Sequence, residues 1–361
     1  VIYLDYQATT PLAAEARAAM LPWLDGPEGP GFANPHSPHR YGRAAKAAVE
    51  VARDQVAALL PPGGRVVFTG SATEAINLAI FGCGARSFAV SPIEHAAVLD
   101  TVQATGAAVH MLPCGADGLV PGDAAIPHGA GLVAVMQVNN EIGTVQPVEM
   151  LAEGAHRAGA LFLCDAVQGA GKMAPPTGAD MIALSAHKLY GPKGIGALWI
   201  RDGLDLAPLI HGGGQEHGLR SGTLSPMLCA GFGAAAVVAL AQQSEDAAHV
   251  QALWSRARAL LPDWTLNGSD TQRWHGNLNL RREGLDVARL MSDLRDVAFS
   301  AASACASGSG RSSHVLRAIG LDDASAKSSV RLGFGRYTTI PELEDACARI
   351  ETAAAAQGVL S

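Results

Sequence analysis

Short apolar runs alternate along the first two-thirds of the chain with longer stretches that read as helices. The runs fall at residues 66–68, 87–90, 109–112, 132–138, 161–164, 181–184 and 197–200. Each is short enough for a buried strand and too short for a helix of ordinary length. Between them, 43–60, 73–81, 96–105 and 148–158 are the expected helices. Strands alternating with helices predict an α/β fold whose large, mostly parallel sheet is covered on both faces. Residues 228–241 form the longest apolar stretch, mostly Ala and Gly. It falls short of the roughly 18 residues that a membrane span needs, so it reads as a buried helix. After about Gln242 the pattern changes to a charged helix at 244–261, a Pro262-Asp263 turn, and then shorter strands and helices. The expected organisation is a large α/β domain over 12–242 and a smaller α+β domain over 243–361, joined by residues 1–11. There is no internal repeat, and no disordered tract is expected.

Composition narrows the partners. A chain of 361 residues accommodates two domains of ordinary size, and 48% apolar residues supply their cores. The net charge is −7, and no basic tract occurs. This argues against nucleic acid or an anionic membrane as the main partner. No secretory signal opens the chain, which begins with a strand-like run at 1–4. The six cysteines, at 83, 114, 164, 229, 305 and 347, contain no Cys-x-x-Cys pair. Scattered in this way, they suit reduced thiols in the cytoplasm better than a disulfide framework. No metal site is expected.

Candidate chemistry clusters at the ends of the predicted strands, where open α/β sheets gather ligands. Only five lysines occur, and Lys188 stands in Ser185-Ala186-His187-Lys188, between a buried strand and a Gly/Pro-rich turn. A lysine there is placed to form a Schiff base with an aldehyde cofactor, although a surface lysine beside a turn would look the same. Lys193, in Gly-Pro-Lys-Gly, reads as loop. Asp165 ends the preceding strand and is either a partner for a protonated ring nitrogen or a helix N-cap. Gln168 follows one turn later. Gly70-Ser71-Ala72-Thr73-Glu74 joins a strand to a helix and offers amides and hydroxyls to a phosphate, or simply caps the helix. It lacks the Gly-Lys-Ser/Thr ending of a nucleotide P-loop. His211–Gly214 and the following Arg220-Ser221-Gly222-Thr223 could serve an oxyanion or a phosphate. No Gly-x-Ser-x-Gly elbow accompanies them, which argues against a hydrolase. Cys305 sits in a small, polar stretch, Ser303–Gly310, unlike a core cysteine.

Taken in order, these segments, together with Tyr3–Pro11, Asn34-Pro35, Glu94-His95, Val138–Gly143, Asp165–Gln168 and Ser328–Arg331, resemble the cysteine desulfurases of the NifS/IscS type. The likeness covers nearly the whole chain. It implies the aspartate-aminotransferase-like fold of class V enzymes dependent on pyridoxal 5'-phosphate, with a seven-stranded-type sheet and a smaller α+β domain, normally as a homodimer. By that resemblance Lys188 matches the lysine that holds the cofactor, Asp165 the partner of its ring nitrogen, and His95 the histidine stacked on its ring. Gln168 and Asn140 match residues near the ring hydroxyl. Ala72, Thr73, Ser185 and His187 match the phosphate site, with Thr223 supplied from the other subunit. Asn34 and Arg331 match the pair that binds the substrate carboxylate. Cys305 matches the cysteine that carries sulfur as a persulfide. L-Cysteine would be the substrate, L-alanine the product, and a protein or thiol the sulfur acceptor.

The chain departs from the family pattern at three places. Family members usually read Ser-Gly before the Ala-Thr-Glu turn, whereas this chain reads Gly70-Ser71, so a changed phosphate geometry is expected. The usual Gly before the cysteine is Ala302 here, which is expected to stiffen the loop base. The extension that housekeeping members use with iron–sulfur scaffolds is not expected after the last predicted helix, 341–356, so the resemblance does not carry over transfer to a standard scaffold. Two other readings remain open at this level. One is another class V enzyme, such as a selenocysteine lyase or an aminotransferase. The other is a non-catalytic binding homologue.

Overall fold

The computed structural model describes residues 1–29, 31–301 and 313–358. The chain opens with β1 (Ile2–Tyr3), α1 (Ala14–Met20) and α2 (Arg40–Ala57). There follow β2 (Gly64–Thr69), α3 (Ala72–Gly82), β3 (Ser87–Val90), α4 (Ala96–Ala104), β4 (Ala108–Met111), β5 (Leu132–Ala134), α5 (Val148–Arg157), β6 (Leu161–Asp165), β7 (Met181–Ser185) and β8 (Gly196–Arg201). The long α6 (Pro226–Leu260) leads to β9 (Thr265–Leu266), β10 (Asn277–Arg281), α7 (Val287–Asp293), β11 (Val297–Ala298) and β12 (Ser300–Ala301). The described chain ends with α8 (His314–Ala318), α9 (Asp323–Lys327), β13 (Ser329–Gly333) and α10 (Ile340–Ala355).

All seven runs read as strands enter one sheet, in the order β2-β8-β7-β6-β5-β3-β4. Only β8 runs against the rest, pairing antiparallel with β7 and β2. The sheet is buried on both sides, and alternation along each strand divides it into two cores. Val66, Phe68, Val133, Phe162, Cys164 and Ile182 face α2, α5 and α6. Val67, Phe88, Leu132, Leu163, Met181 and Ala183 face α3 and α4. One run is shorter than the sequence suggests: 132–138 gives a strand of only three residues. Beyond it, Val138 bridges to Val145, and the chain turns back through Asn139–Thr144. That turn delivers Asn140 to the end of the sheet.

A third core joins β10, β13, α7 and α10 with the far half of α6, through Val250, Leu253, Ala257 and Leu261. Its sheet is antiparallel, in the order β12-β13-β10-β9. The sequence suggests two separate segments at 228–241 and 244–261, but a single 35-residue helix runs through both. No Gly or Pro interrupts residues 234–260, so nothing stops the helix where its composition changes. Ser225 caps it by accepting the Leu228 amide, and Pro226 opens it. At Gly233 an added Cβ would stand 2.8 Å from the Ala52 Cα, so a side chain there would force α2 and α6 apart. The helix is long and apolar enough to cross a bilayer by composition alone, yet its apolar half packs into the first core. A division at 242/243 would fall inside this helix.

Candidate active site

A cleft of about 670 Å³ opens at the carboxyl ends of the strands, between the large sheet and the elements around β12 and β13. Each strand end delivers one group to it. Ser71, Ala72 and Thr73 follow β2, His95 follows β3, and Asn140 follows β5. Asp165 ends β6 and is followed by Gln168, while Ser185, His187 and Lys188 come at the end of β7. Arg331 reaches in from β13.

Lys188 closes a single 3-10 turn after β7, and the N-terminal segment wraps around that turn. Its Nζ donates to the carbonyls of Gln7 at 2.5 Å and Ala8 at 2.8 Å. The Thr10 amide and hydroxyl both donate to the His187 carbonyl, and the same hydroxyl accepts the Tyr190 amide. Tyr190 follows with φ +66°, a left-handed conformation that is strained for a bulky residue. Tyr6 and Tyr337 pack edge-on against its ring, and the Arg336 guanidinium lies 4.3 Å from the centroid. These contacts hold the strained turn that aims Lys188. His187 shares a hydrogen bond with the Thr9 hydroxyl through Nδ1. Burial, and then the positive charges of Lys188, Lys193 and Lys172, push its imidazole down to about 4.

Asp165 and His95 face the same amine. The Asp165 side chain is buried, with 6% exposure, and Oδ1 accepts the Val167 amide. Burial raises its carboxyl, while that amide, His95 and Lys188 pull it back down. His95 is the N-cap of α4, and its Nδ1 accepts the Ala97 amide at 3.1 Å. A ring that accepts at Nδ1 carries its proton on Nε2. Burial also lowers its pKa, Asp165 opposing, so the ring is neutral. Behind them Glu94 is fully buried, with Oε1 accepting the Met136 amide and Oε2 without a partner among the described residues. Burial, reinforced by Asp165, holds Glu94 well above the carboxylate range, so it stands as a neutral acid.

The turn before α3 is built around Glu74. Its carboxylate accepts the Gly70 amide and is held by Arg220 at 2.7 Å, while Ser71 caps the helix by accepting the Glu74 amide. Ser71 stands at φ −171°, extended backbone that any residue adopts, so the Gly70-Ser71 order puts no strain on this turn. Glu216, itself buried, takes two hydrogen bonds from Arg53 and one from the Phe68 amide. This pins the 211–223 segment to β2 next to the cradle.

Arg331 is buried, with 3% exposure. Its guanidinium donates to the Asn140 carbonyl at 3.1 Å and to Asp5 Oδ1 at 2.9 Å, and its Nε has no partner among the described residues. Asn140 also accepts the Asn277 amide through its carbonyl. Of the residues singled out from the sequence, Ala72, Thr73, His95, Asn140, Asp165, Gln168, Ser185, His187, Lys188 and Arg331 all line the cleft. Asn34 does not: it lies on an exposed turn, and its Oδ1 accepts the His36 amide. Thr223 is also exposed and away from this cleft. Cys305 and Ala302 lie outside the described residues. The sequence reading missed the Gln7 and Ala8 carbonyls and the Met291, Phe299 and Val138 walls. Carbonyls leave no residue-type signature, and the apolar walls look like core.

Residues 2–345 match the aminotransferase class-V family. Its members depend on pyridoxal phosphate, and the chain belongs to that family, on its cysteine desulfurase branch. The cysteine desulfurase IscS of Shewanella sp. (strain MR-4) is 41% identical over 370 residues, spanning 96% of this chain and 90% of the relative. That of Rickettsia rickettsii (strain Iowa) is 39% identical over 97% of this chain and 91% of its own length. Among solved structures, a NifS-like protein superposes with a TM-score of 0.88 at 30% identity, covering 99% of this chain and all (100%) of that one. SspA, solved in complex with cysteine, gives a TM-score of 0.81 at 35% identity over 94% of this chain and 100% of its own.

Proposed function

We propose that the cleft binds pyridoxal 5'-phosphate and converts L-cysteine to L-alanine, with the sulfur passing to Cys305 as a persulfide. The observation that carries this reading is the placement of Lys188, Asp165 and His95 on one cleft between the α3 N-terminus and Arg331. The donor set fits the cofactor. The α3 amides, Thr73, Ser185 and His187 suit a phosphate. Asp165 suits a protonated ring nitrogen, Lys188 an aldehyde, and the neutral His95 ring a stacking face. When bound, the cofactor supplies an aldehyde for amines and a cationic ring that takes up the electron pair left by a departing Cα proton.

The chain's own residues do the rest. Asp165, buried and anchored by the Val167 amide, keeps a negative charge against the ring. Lys188 is the amine that holds the cofactor and, once displaced, the base for the Cα proton. The Gln7 and Ala8 carbonyls receive its ammonium. Arg331 would bind the substrate carboxylate, and Gln168 and Asn140 would hold the ring hydroxyl. Thr223, exposed on its own chain, completes the cleft of a second copy, so the working unit is a homodimer. The Cys305 thiol takes the substrate sulfur. One S–S bond forms as the substrate C–S bond breaks, and the protons of the two thiols end on the persulfide and on the alanine methyl group. A protein or thiol acceptor then collects the sulfur for iron–sulfur assembly or another sulfur-transfer route. The five cysteines among the described residues are unpaired thiols, which fits a cytoplasmic setting.

The test is the release of alanine and sulfide from L-cysteine by cofactor-loaded protein with excess thiol. Equal amounts support the reading, and pyruvate or no product refutes it. Arg331→Lys should raise KM for L-cysteine by about ten- to a hundredfold, because a point charge replaces a fork that can grip both carboxylate oxygens. Initial rates across substrate concentrations check this, and an unchanged KM removes Arg331 from carboxylate binding.

A further inference from the structure

A second lysine stands behind Lys188, on the far side of Gln168. Lys172 Nζ donates to Gln168 Oε1 at 3.4 Å, Gln168 Nε2 donates to the Gln7 carbonyl at 3.0 Å, and Lys188 Nζ donates to that same carbonyl at 2.5 Å. Two amines are thus joined through one side-chain amide and one backbone carbonyl. Lys172 is half-buried, and among the described residues the only hydrogen-bond partner of its ammonium is the uncharged Gln168. The nearby carboxylate, Asp246, gives both its oxygens to Arg336. A half-buried ammonium without its own counter-ion must respond to any charge placed near it.

We propose that Lys172 is a charge-compensating positioning residue for Lys188: linked to it through Gln168 and the Gln7 carbonyl, it carries the proton while the Lys188 amine is tied or neutral and releases it when that amine becomes an ammonium. This rests on Lys188 being the reactive amine of the proposed function. The asymmetry follows from the hydrogen bonds. Lys188 donates to two backbone carbonyls, which stabilise its ammonium, whereas Lys172 has one long bond to an amide. The shared proton therefore prefers Lys188 when that amine is free. Burial, and after it the charge of Lys188, brings Lys172 down to about 7, with Asp246 opposing. The other ionisable groups facing the pair are Asp165 and His95 beside Lys188, and His187, which feels the charge of Lys188, Lys193 and Lys172. His187 and His95 stay neutral above pH 7. The cleft thus keeps one ammonium throughout a cycle in which Lys188 alternates between tied, neutral and protonated. Lys172 also fixes which end of the Gln168 amide faces Gln7.

The test reads each lysine by trace acylation across pH, with peptide mass spectrometry. In the cofactor-free wild-type chain Lys172 should titrate near 7. In cofactor-free Lys188→Met, and in the loaded wild type, its midpoint should rise by at least about one pH unit, a tenfold change in proton affinity. An equal midpoint in all three overturns the proposal, as does a wild-type midpoint at the ordinary lysine value of about 10.4. The comparison of wild type with Lys188→Met needs neither cofactor nor substrate, so it decides the matter even if the chain turns out not to desulfurate cysteine. In the active enzyme, Lys172→Met should remove one inflection near pH 7 from the profile of alanine formation and leave KM unchanged. An unaltered profile, or a uniform loss at every pH, reduces Lys172 to packing.

Discussion

Replacing Lys188 by alanine is expected to lower alanine formation by at least about ten-thousandfold while leaving the fold intact. Two roles vanish together, the covalent hold on the cofactor and the base for the Cα proton, and a positioned base alone contributes roughly a hundred- to ten-thousandfold. The fold should survive because the Lys188 turn is held by backbone contacts. Thr10 binds the His187 carbonyl and the Tyr190 amide, and Tyr190 is packed by Tyr6, Tyr337 and Arg336. The variant should still bind the cofactor, since the α3 amides, Asp165 and the His95 ring are untouched, but without covalent attachment. Intact mass after borohydride reduction reads the attachment, and turnover with L-cysteine reads the loss. A Lys188→Ala protein that keeps the cofactor covalently would move the reactive amine to another lysine, and Lys172 is the one placed to be examined.

The strands of the large sheet are legible because those inside it are buried on both faces and therefore read as runs of apolar residues, while the exposed edge strand β4 reads as one through Val109 and Met111. Their ends located Asp165, Lys188 and the α3 turn. What was not legible came from long-range contacts. The continuity of α6 depends on two cores meeting along one helix: its residues up to Ala239 pack into the first core and those from Val250 into the other, with no break where the composition changes. The Gly70-Ser71 order suggests a glycine requirement. Ser71 instead stands in extended backbone and caps α3, beside the Glu74–Arg220 brace. Lys172 follows Asp165-Ala166-Val167-Gln168 in plain sight. Its link to Lys188 exists only because residues 7 and 8 fold back over the β7 turn, a contact some 180 residues away in sequence.

Cys305→Ala should retain the cofactor and bind L-cysteine with little change in affinity, yet form alanine at least about a thousandfold more slowly. Cys305 lies outside the described residues, so the case rests on what surrounds it and on the other five thiols. The chain enters that segment from Ser300, which lines the cleft and pairs across β12 with Arg331. It leaves through Ser313, whose hydroxyl donates to Glu141, and His314, whose Nε2 shares a hydrogen bond with the Glu94 carbonyl just before His95. Both ends are therefore fixed at the rim of the site. The other five do not compete. Burial pushes Cys114 up to about 11, Cys229 and Cys347 up to about 12, Cys164 well above the usual thiol and Cys83 upward as well. None of them lines the cleft. A sulfur acceptor must offer a thiolate near neutral pH, and these five are held as thiols. Persulfide trapped by alkylation should map to the Cys305 peptide in the wild type and vanish in the variant. Full alanine production by Cys305→Ala would remove this cysteine from the reaction and make an external thiol the direct acceptor.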